Sequence, residues 1–217
     1  QYNTTGYSNV GMGMNALWSN TIGIDNVAVG KSALEANTTA KYNTAIGTWA
    51  LKVNTTGQFN TAVGWYSLQA NTIGQYNTAI GSEALKTNTT GQKNTAIGNR
   101  ALYTNTIGGY NIAVGNEAMY ANTTANYNVA VGYYALKANT TGEYNTGVGF
   151  KTLNLNTTGQ YNVAVGKSAL KANTIGVSST ALGYEALRYN TTGATNVAVG
   201  RGAMYTNTVG FDNIAVG

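Results

Sequence analysis

Glycine returns every 17 residues along this 217-residue chain, at Gly13, Gly30, Gly47, Gly64, Gly81, Gly98, Gly115, Gly132, Gly149, Gly166, Gly183, Gly200 and Gly217. No insertion or deletion breaks the step. The same words surround it each time: Asn77-Thr78-Ala79-Ile80-Gly81, then Asn94-Thr95-Ala96-Ile97-Gly98, then Asn111-Ile112-Ala113-Val114-Gly115. A unit this small cannot bury a core of its own. A period that never slips therefore means that each unit is one coil laid on the last, in register, as in a solenoid.

Within a unit, residues 94–97 read as a short strand. Gly98, Asn99 and Arg100 turn a corner, and Ala101-Leu102-Tyr103-Thr104 read as a second short strand. Asn105-Thr106-Ile107-Gly108 with Gly109-Tyr110 make the return turn. Short runs bounded by Gly and Asn are strand and turn chemistry. A helical repeat would place good helix formers where this one has Gly, Asn and Thr. Proline is absent, as fits a coil whose strand N–H groups all bond to a neighbour. The expected fold is an all-β parallel β-roll, a β-solenoid of thirteen 17-residue coils, with residues 1–217 as a single repeat region. Neither end carries an atypical polar cap, so the region is expected to be part of a longer fibre.

Besides the closing glycine, two columns never vary. One is the return-turn asparagine, from Asn3 to Asn207; the other is the threonine after it, from Thr4 to Thr208. A glycine follows two residues later, replaced only by Ala40 and Ala125, so close packing rather than an obligatory positive φ explains it. A second asparagine column runs through Asn9, Asn26, Asn43 and Asn60 and is broken only by Ser179. Stacked coils bring equivalent side chains about 4.8 Å apart, close enough for amide-to-amide hydrogen bonding. Asn37, Asn54, Asn71, Asn88, Asn105 and Asn122 are therefore read as a structural ladder.

The apolar columns come in adjacent pairs, Ala96 with Ile97 and Ala101 with Leu102. Neighbouring strand residues point to opposite faces. A lone solenoid would show one face to water and alternate apolar with polar. Either the alanine face is a flat exposed surface, or both faces are buried and a second core is shared with partner chains. The second option needs a partner chain, and copies of itself are the first partner expected.

The motif Asn-x-Ala-[Ile/Val]-Gly-x-x-Ala resembles the head repeats of YadA-like trimeric autotransporter adhesins. The stretch Tyr76-Asn77-Thr78-Ala79-Ile80-Gly81-Ser82-Glu83-Ala84-Leu85 is similar to repeats of phage tail-fibre-like proteins. The resemblance runs the length of the chain, although repeats of the adhesin heads are commonly shorter than this one. It implies a left-handed parallel β-roll, three chains around one axis, and a place in an adhesive fibre outside the cell, on a cell surface or on a virion.

Chemistry is bounded by what is missing. The sequence has no His and no Cys, which removes the commonest general base and the thiolate metal ligands. Asp25, Glu35, Glu83, Glu117, Glu143, Glu185 and Asp212 occupy variable columns and form no constant pair. No catalytic, cofactor-binding or metal-binding residue is assigned; an enzyme and a cofactor are not expected. No apolar run approaches the ~20 residues of a membrane span, so this segment is not expected to insert. Twelve Lys/Arg against seven Asp/Glu give a net charge of +5. Spread over variable columns, as at Lys31, Lys86, Lys137 and Lys171, they form no track for a phosphate backbone, and nucleic acid is not an expected partner.

One column suggests binding. Tyr42, Phe59, Tyr76, Tyr110, Tyr127, Tyr144 and Tyr161 precede the second asparagine, and the column fades to Ser178, Thr195 and Asp212. Stacked rings stabilise a ladder, and they also offer a platform for sugars. The expected function is a structural and adhesive segment of an extracellular trimeric fibre, touching host-surface or matrix molecules such as glycans. The alternative is an ice-binding or other flat-surface monomeric solenoid, with the invariant threonines as its exposed rank.

Overall fold

The computed structural model describes residues 3–217; Gln1 and Tyr2, which open the first partial coil, lie outside it. Among the described residues there are thirteen strands of three residues each and no helix. Two compact units divide the chain, ending and beginning at Gly109 and Tyr110. The first holds β1 (Val10–Met12), β2 (Val27–Val29), β3 (Thr44–Ile46), β4 (Thr61–Val63), β5 (Thr78–Ile80) and β6 (Thr95–Ile97). The second holds β7 (Ile112–Val114), β8 (Val129–Val131), β9 (Thr146–Val148), β10 (Val163–Val165), β11 (Thr180–Leu182), β12 (Val197–Val199) and β13 (Ile214–Val216).

Within each unit every strand pairs in parallel with the next one in sequence, exactly one repeat away. Thr78, Ala79 and Ile80 of β5 face Thr95, Ala96 and Ile97 of β6. Val129, Ala130 and Val131 of β8 face Thr146, Gly147 and Val148 of β9. Each unit is thus a parallel β-solenoid that climbs one coil per repeat, as its period requires.

The second strand expected at 101–104 does not form. After the closing glycine, every second residue takes a positive φ: Gly81 at 134°, Glu83 at 58° and Leu85 at 49°, then Gly98 at 133°, Arg100 at 55° and Leu102 at 51°. Alternating backbone handedness bends the chain into an arc. Side-chain parity holds only for extended backbone, and in this arc the adjacent pairs Ala84/Leu85 and Ala101/Leu102 are all fully buried. No second chain is needed to cover them. A left-handed conformation costs a leucine roughly 1–2 kcal/mol, and full burial of its side chain returns roughly 1.5–3 kcal/mol. The backbone of the arc is satisfied across coils: Leu85 N–H donates to the Ala101 carbonyl at 3.0 Å, and Glu83 N–H to the Trp65 carbonyl at 2.8 Å.

The strand also inverts one expectation. Its central alanine is the core residue: Ala79 and Ala96 are fully buried, while Ile80 and Ile97 stand outward at 39% and 37% exposure. The interior between strand and arc is thin, and alanine is the side chain that fits opposite the leucine column.

The asparagine columns fill the rest of the interior. Asn71 Nδ2 donates to Asn54 Oδ1 at 2.8 Å and to the Gly74 carbonyl at 3.0 Å. Asn88 repeats both bonds, to Asn71 at 2.9 Å and Gly91 at 3.0 Å. Asn54 reaches Asn37 at 3.3 Å, Asn105 reaches Asn88 at 2.8 Å, and Asn122 Oδ1 accepts from Asn139 at 3.3 Å. In the other column, Asn77 donates its backbone N–H and its amide to Asn60 Oδ1, at 3.0 and 3.2 Å. The same amide reaches the Gly91 carbonyl of the next return turn at 2.8 Å. These buried amides have their partners within the column and the turn.

The return-turn glycine is fixed by space, not by φ: a Cβ on Gly74 would sit 2.5 Å from the Gly91 carbonyl oxygen. Where alanine replaces it, the turn gives slightly. The asparagine-to-carbonyl bond lengthens to 3.2 Å at Ala40 and 3.3 Å at Ala125, against 3.0 Å at Gly74, Gly91 and Gly108.

Candidate functional site

Away from the end coils the invariant asparagines are buried, and the invariant threonines are bonded into the turn, so any site must be built from the variable columns. The aromatic column is the first of these. In the first unit Tyr42, Phe59 and Tyr76 stack with centroids 4.9 and 5.0 Å apart and planes within 15°. In the second, Tyr110, Tyr127, Tyr144 and Tyr161 stack at 5.0–5.1 Å with planes within 22°. Their carriers sit at φ 57–60°, held by cross-coil bonds such as Tyr76 N–H to the Gln58 carbonyl at 3.1 Å. Ser178, Thr195 and Asp212 keep the same turn at φ 55° with no ring, so the backbone does not depend on the rings. All seven are 42–55% exposed. At this spacing each ring covers its neighbour's face, and the column offers mainly edges and hydroxyls. A sugar seeking a flat face finds one only where a stack ends.

The invariant threonines do not form an exposed rank. Thr21 Oγ1 donates to the Thr38 carbonyl at 3.0 Å, and that carbonyl also accepts the N–H groups of Thr21, Ile22 and Gly23 at 3.0–3.3 Å. The hydroxyl is part of the turn and is half-buried.

A second surface is not evident when the sequence is read linearly. Ten of the twelve cations lie at the first, second or fifth position after a closing glycine: Lys31, Lys52, Lys86, Arg100, Lys137, Lys151, Lys167, Lys171, Arg188 and Arg201. Within each unit the arc brings these positions onto one face. Their expected dispersal is corrected by this geometry: the charges look scattered along the chain because three columns share them. Reading the sequence in columns of 17 would have revealed the bias.

Aromatic side chains interleave the cations. Lys86 Nζ lies 4.6 Å from the Tyr66 ring centroid and 5.5 Å from that of Tyr103. In the second unit Lys137 Nζ lies 4.0 Å from the Tyr134 centroid, Lys151 5.1 Å from Phe150, and Lys167 5.4 Å from Tyr184. These are cation–π distances. The acids on this face are paired. Glu83, nearly buried, bonds Lys86 and Arg100 at 2.7 Å each, joining two coils. The Lys86 hydrogen bond, more than any other contact, holds the Glu83 carboxyl below its usual range, and that same bond raises Lys86. Glu117 bonds Lys137 at 2.7 Å, and Glu185 bonds Arg188.

On this face of the second unit, Tyr120, Tyr134, Lys137, Lys151, Asn154 and Leu155 line an open cleft of about 440 Å³. Among the described residues no group of three or more His, Cys, Asp and Glu side chains could hold a metal, and no helix is long and apolar enough to cross a membrane. Compared with known proteins, the chain matches no family model, and no curated protein matches it.

Proposed function

We propose that this chain is a structural and adhesive, non-catalytic segment of an extracellular trimeric fibre, a surface adhesin or tail-fibre-like protein. The reading is carried by one observation: the outward strand face. Ile46, Ile80 and Ile97 in the first unit and Val163, Val165 and Leu182 in the second stand 37–41% exposed, rank upon rank. Soluble monomers rarely leave a contiguous apolar patch of this kind. Seated against copies of itself around an axis, the face becomes a second core. The fibre's place on a cell surface or virion, and its contacts with host-surface glycans, belong to the same proposal.

Light scattering on the recombinant chain is the test. The expected particle mass is three times 22.6 kDa, and Ile46→Lys with Ile80→Lys is expected to reduce it to one chain. A wild-type chain that is monomeric and stable would overturn the reading. A flat-surface solenoid is the second reading, and one observation favours it. Thr44, Thr61, Thr78 and Thr95 begin successive strands in register, and they form a half-buried rank beside the isoleucines. A monomer that produces thermal hysteresis in freezing solution would support this reading over the first.

A further inference from the structure

The basic and aromatic face of the second unit has the composition of a site for an extended anion. At the three positions of the arc it carries Lys137, Lys151, Lys167, Lys171, Arg188 and Arg201 against only Glu117 and Glu185. Elsewhere the charges are sparse and mixed: Lys41 and Lys93 stand against Asp25, Glu143 and Asp212, and the strands carry none. Such asymmetry is not needed for solubility, which a dispersed charge would serve equally well.

We infer that this face binds an acidic polysaccharide, with a uronate-type sugar seated in the cleft between Tyr120 and Tyr134 and its carboxylate between Lys137 and Lys151. The inference names a ligand class for the fibre proposed above, and it uses a face distinct from the strand face on which that proposal rests.

Three features favour this occupant. The first is charge density. Six coils at about 4.8 Å each carry a net excess of four cations here, roughly one per 7 Å. Duplex DNA presents one charge per ~1.7 Å, far denser than this face can match. A sugar chain with a carboxylate on every one or two residues fits it. The second is the cleft. It is lined by Tyr120, Tyr134 and Leu155 together with both lysines, and the Tyr134 ring is itself stacked on Tyr133 with centroids 3.9 Å apart. Lys137 Nζ is 4.0 Å from the Tyr134 centroid and 5.9 Å from that of Tyr120, while Lys151 is 5.8 Å from Tyr134. A sugar ring offers C–H groups to the apolar lining at Tyr120 and Leu155, and a carboxylate to the ammoniums that sit over Tyr134. The third is availability. Lys137 is bonded to Glu117, but Lys151 forms no salt bridge among the described residues, and its ammonium lies near the rings of Phe150 and Tyr134. Its ammonium can take an anion without first breaking an ion pair.

The experiment is binding of the full chain to polygalacturonate, with neutral dextran and a single-stranded DNA of similar length as comparisons. Expected are binding to polygalacturonate, none to dextran, weaker binding to DNA, and a steep loss between about 0.05 and 0.5 M salt. Lys137→Gln with Lys151→Gln is expected to weaken binding about tenfold or more, and Lys41→Gln with Lys93→Gln to leave it unchanged. Lys151→Glu alone breaks no ion pair, so it keeps the test open should the double variant fold poorly. Its circular dichroism is expected to match wild type and its affinity to fall. No binding to polygalacturonate, tighter binding to DNA, or equal loss in the Lys41/Lys93 variant would each overturn the inference. Particle mass is measured separately. A monomer that binds polygalacturonate would remove the trimer and keep this site; a trimer that does not bind would do the reverse.

Discussion

Restoring asparagine at position 179 tests whether the amide ladders hold the coils together. At Asn162, one coil earlier, the amide donates to Asn145 Oδ1 at 3.2 Å and to the Gly176 carbonyl at 2.8 Å, beside the backbone bond to the same Oδ1 at 3.1 Å. Ser179 keeps the backbone half, with its N–H on Asn162 Oδ1 at 3.0 Å. Its hydroxyl makes a long bond to the Val177 carbonyl at 3.4 Å and accepts Asn196 N–H at 3.3 Å. It has no amide to give to Asn162 Oδ1 or to the Gly193 carbonyl, and no Oδ1 to accept from the Asn196 amide. Ser179→Asn supplies three buried bonds at about 1 kcal/mol net each. Fixing the longer side chain costs about 1 kcal/mol, leaving a gain of about 2 kcal/mol.

A thermal melt should rise by about 4–8 °C, given about 2–4 °C per kcal/mol for a chain of this length. Repeat arrays open locally, so amide exchange is the sharper assay. Exchange at Thr180 and Val197, whose N–H groups bond the Asn196 and Asn213 carbonyls at 2.8 Å, should slow by up to about 30-fold. The converse, Asn145→Ser, should cost about the same. A folded Ser179→Asn chain with unchanged or faster exchange would show that the asparagines serve only their own turns, and the ladder argument would fall.

Three other outcomes follow from the same geometry. Gly147→Ala should stabilise by about 1 kcal/mol in a thermal melt, because its Cβ would meet Thr152 Oγ1 at 3.5 Å and Leu136 Cδ1 at 3.6 Å, ordinary contacts; Gly81→Ala, at φ 134° and 2.5 Å from the Gly98 carbonyl oxygen, should open its coil to exchange. Leu85→Ala should cost about 2–5 kcal/mol, and Leu85→Gly should cost nearly the same in denaturant unfolding, because the left-handed backbone at φ 49° penalises alanine by about as much as glycine loses in chain entropy. Glu83, whose folded carboxyl is held below its usual range chiefly by Lys86, should stabilise fully above an unfolded value of about 4.3 and lose that contribution as pH falls through the folded value, so the melting gap between wild type and Glu83→Gln should be wide at pH 7 and closed in strong acid.

The period, the strand before each closing glycine and the asparagine ladder were legible in the sequence because each is carried by residue identity at a fixed step. The sign of φ was not. A leucine at Leu102 looks the same in a strand and in a left-handed arc, and only the arc explains why Ala101 and Leu102 are both buried. Reading that pair as strand supplied half of the parity argument for partner chains. That half is gone, and the exposed rank at Ile80 and Ile97 now carries the argument alone. The basic face was hidden for a related reason. Lys137 and Lys151 are fourteen residues apart in sequence and line one cleft only because the arc turns the second and fifth positions the same way.

The division of labour between columns explains why the step never slips. Within a unit, an asparagine such as Asn71 is bonded to its equivalents one repeat before and after, Asn54 and Asn88, and a threonine such as Thr72 to the carbonyl of the next, Thr89. One inserted residue would break both ladders at that coil and leave buried amides unpaired, at roughly 1–3 kcal/mol for each group left without a partner. The outward positions carry no such constraint. Trp65, Ser82, Tyr133, Phe150 and Lys167 occupy one equivalent position in different coils over the same backbone. Surface chemistry can therefore change coil by coil while the interior stays fixed. A face written in this way favours many weak contacts over one strong one, and its affinity should grow with the number of coils engaged rather than with the perfection of any single site.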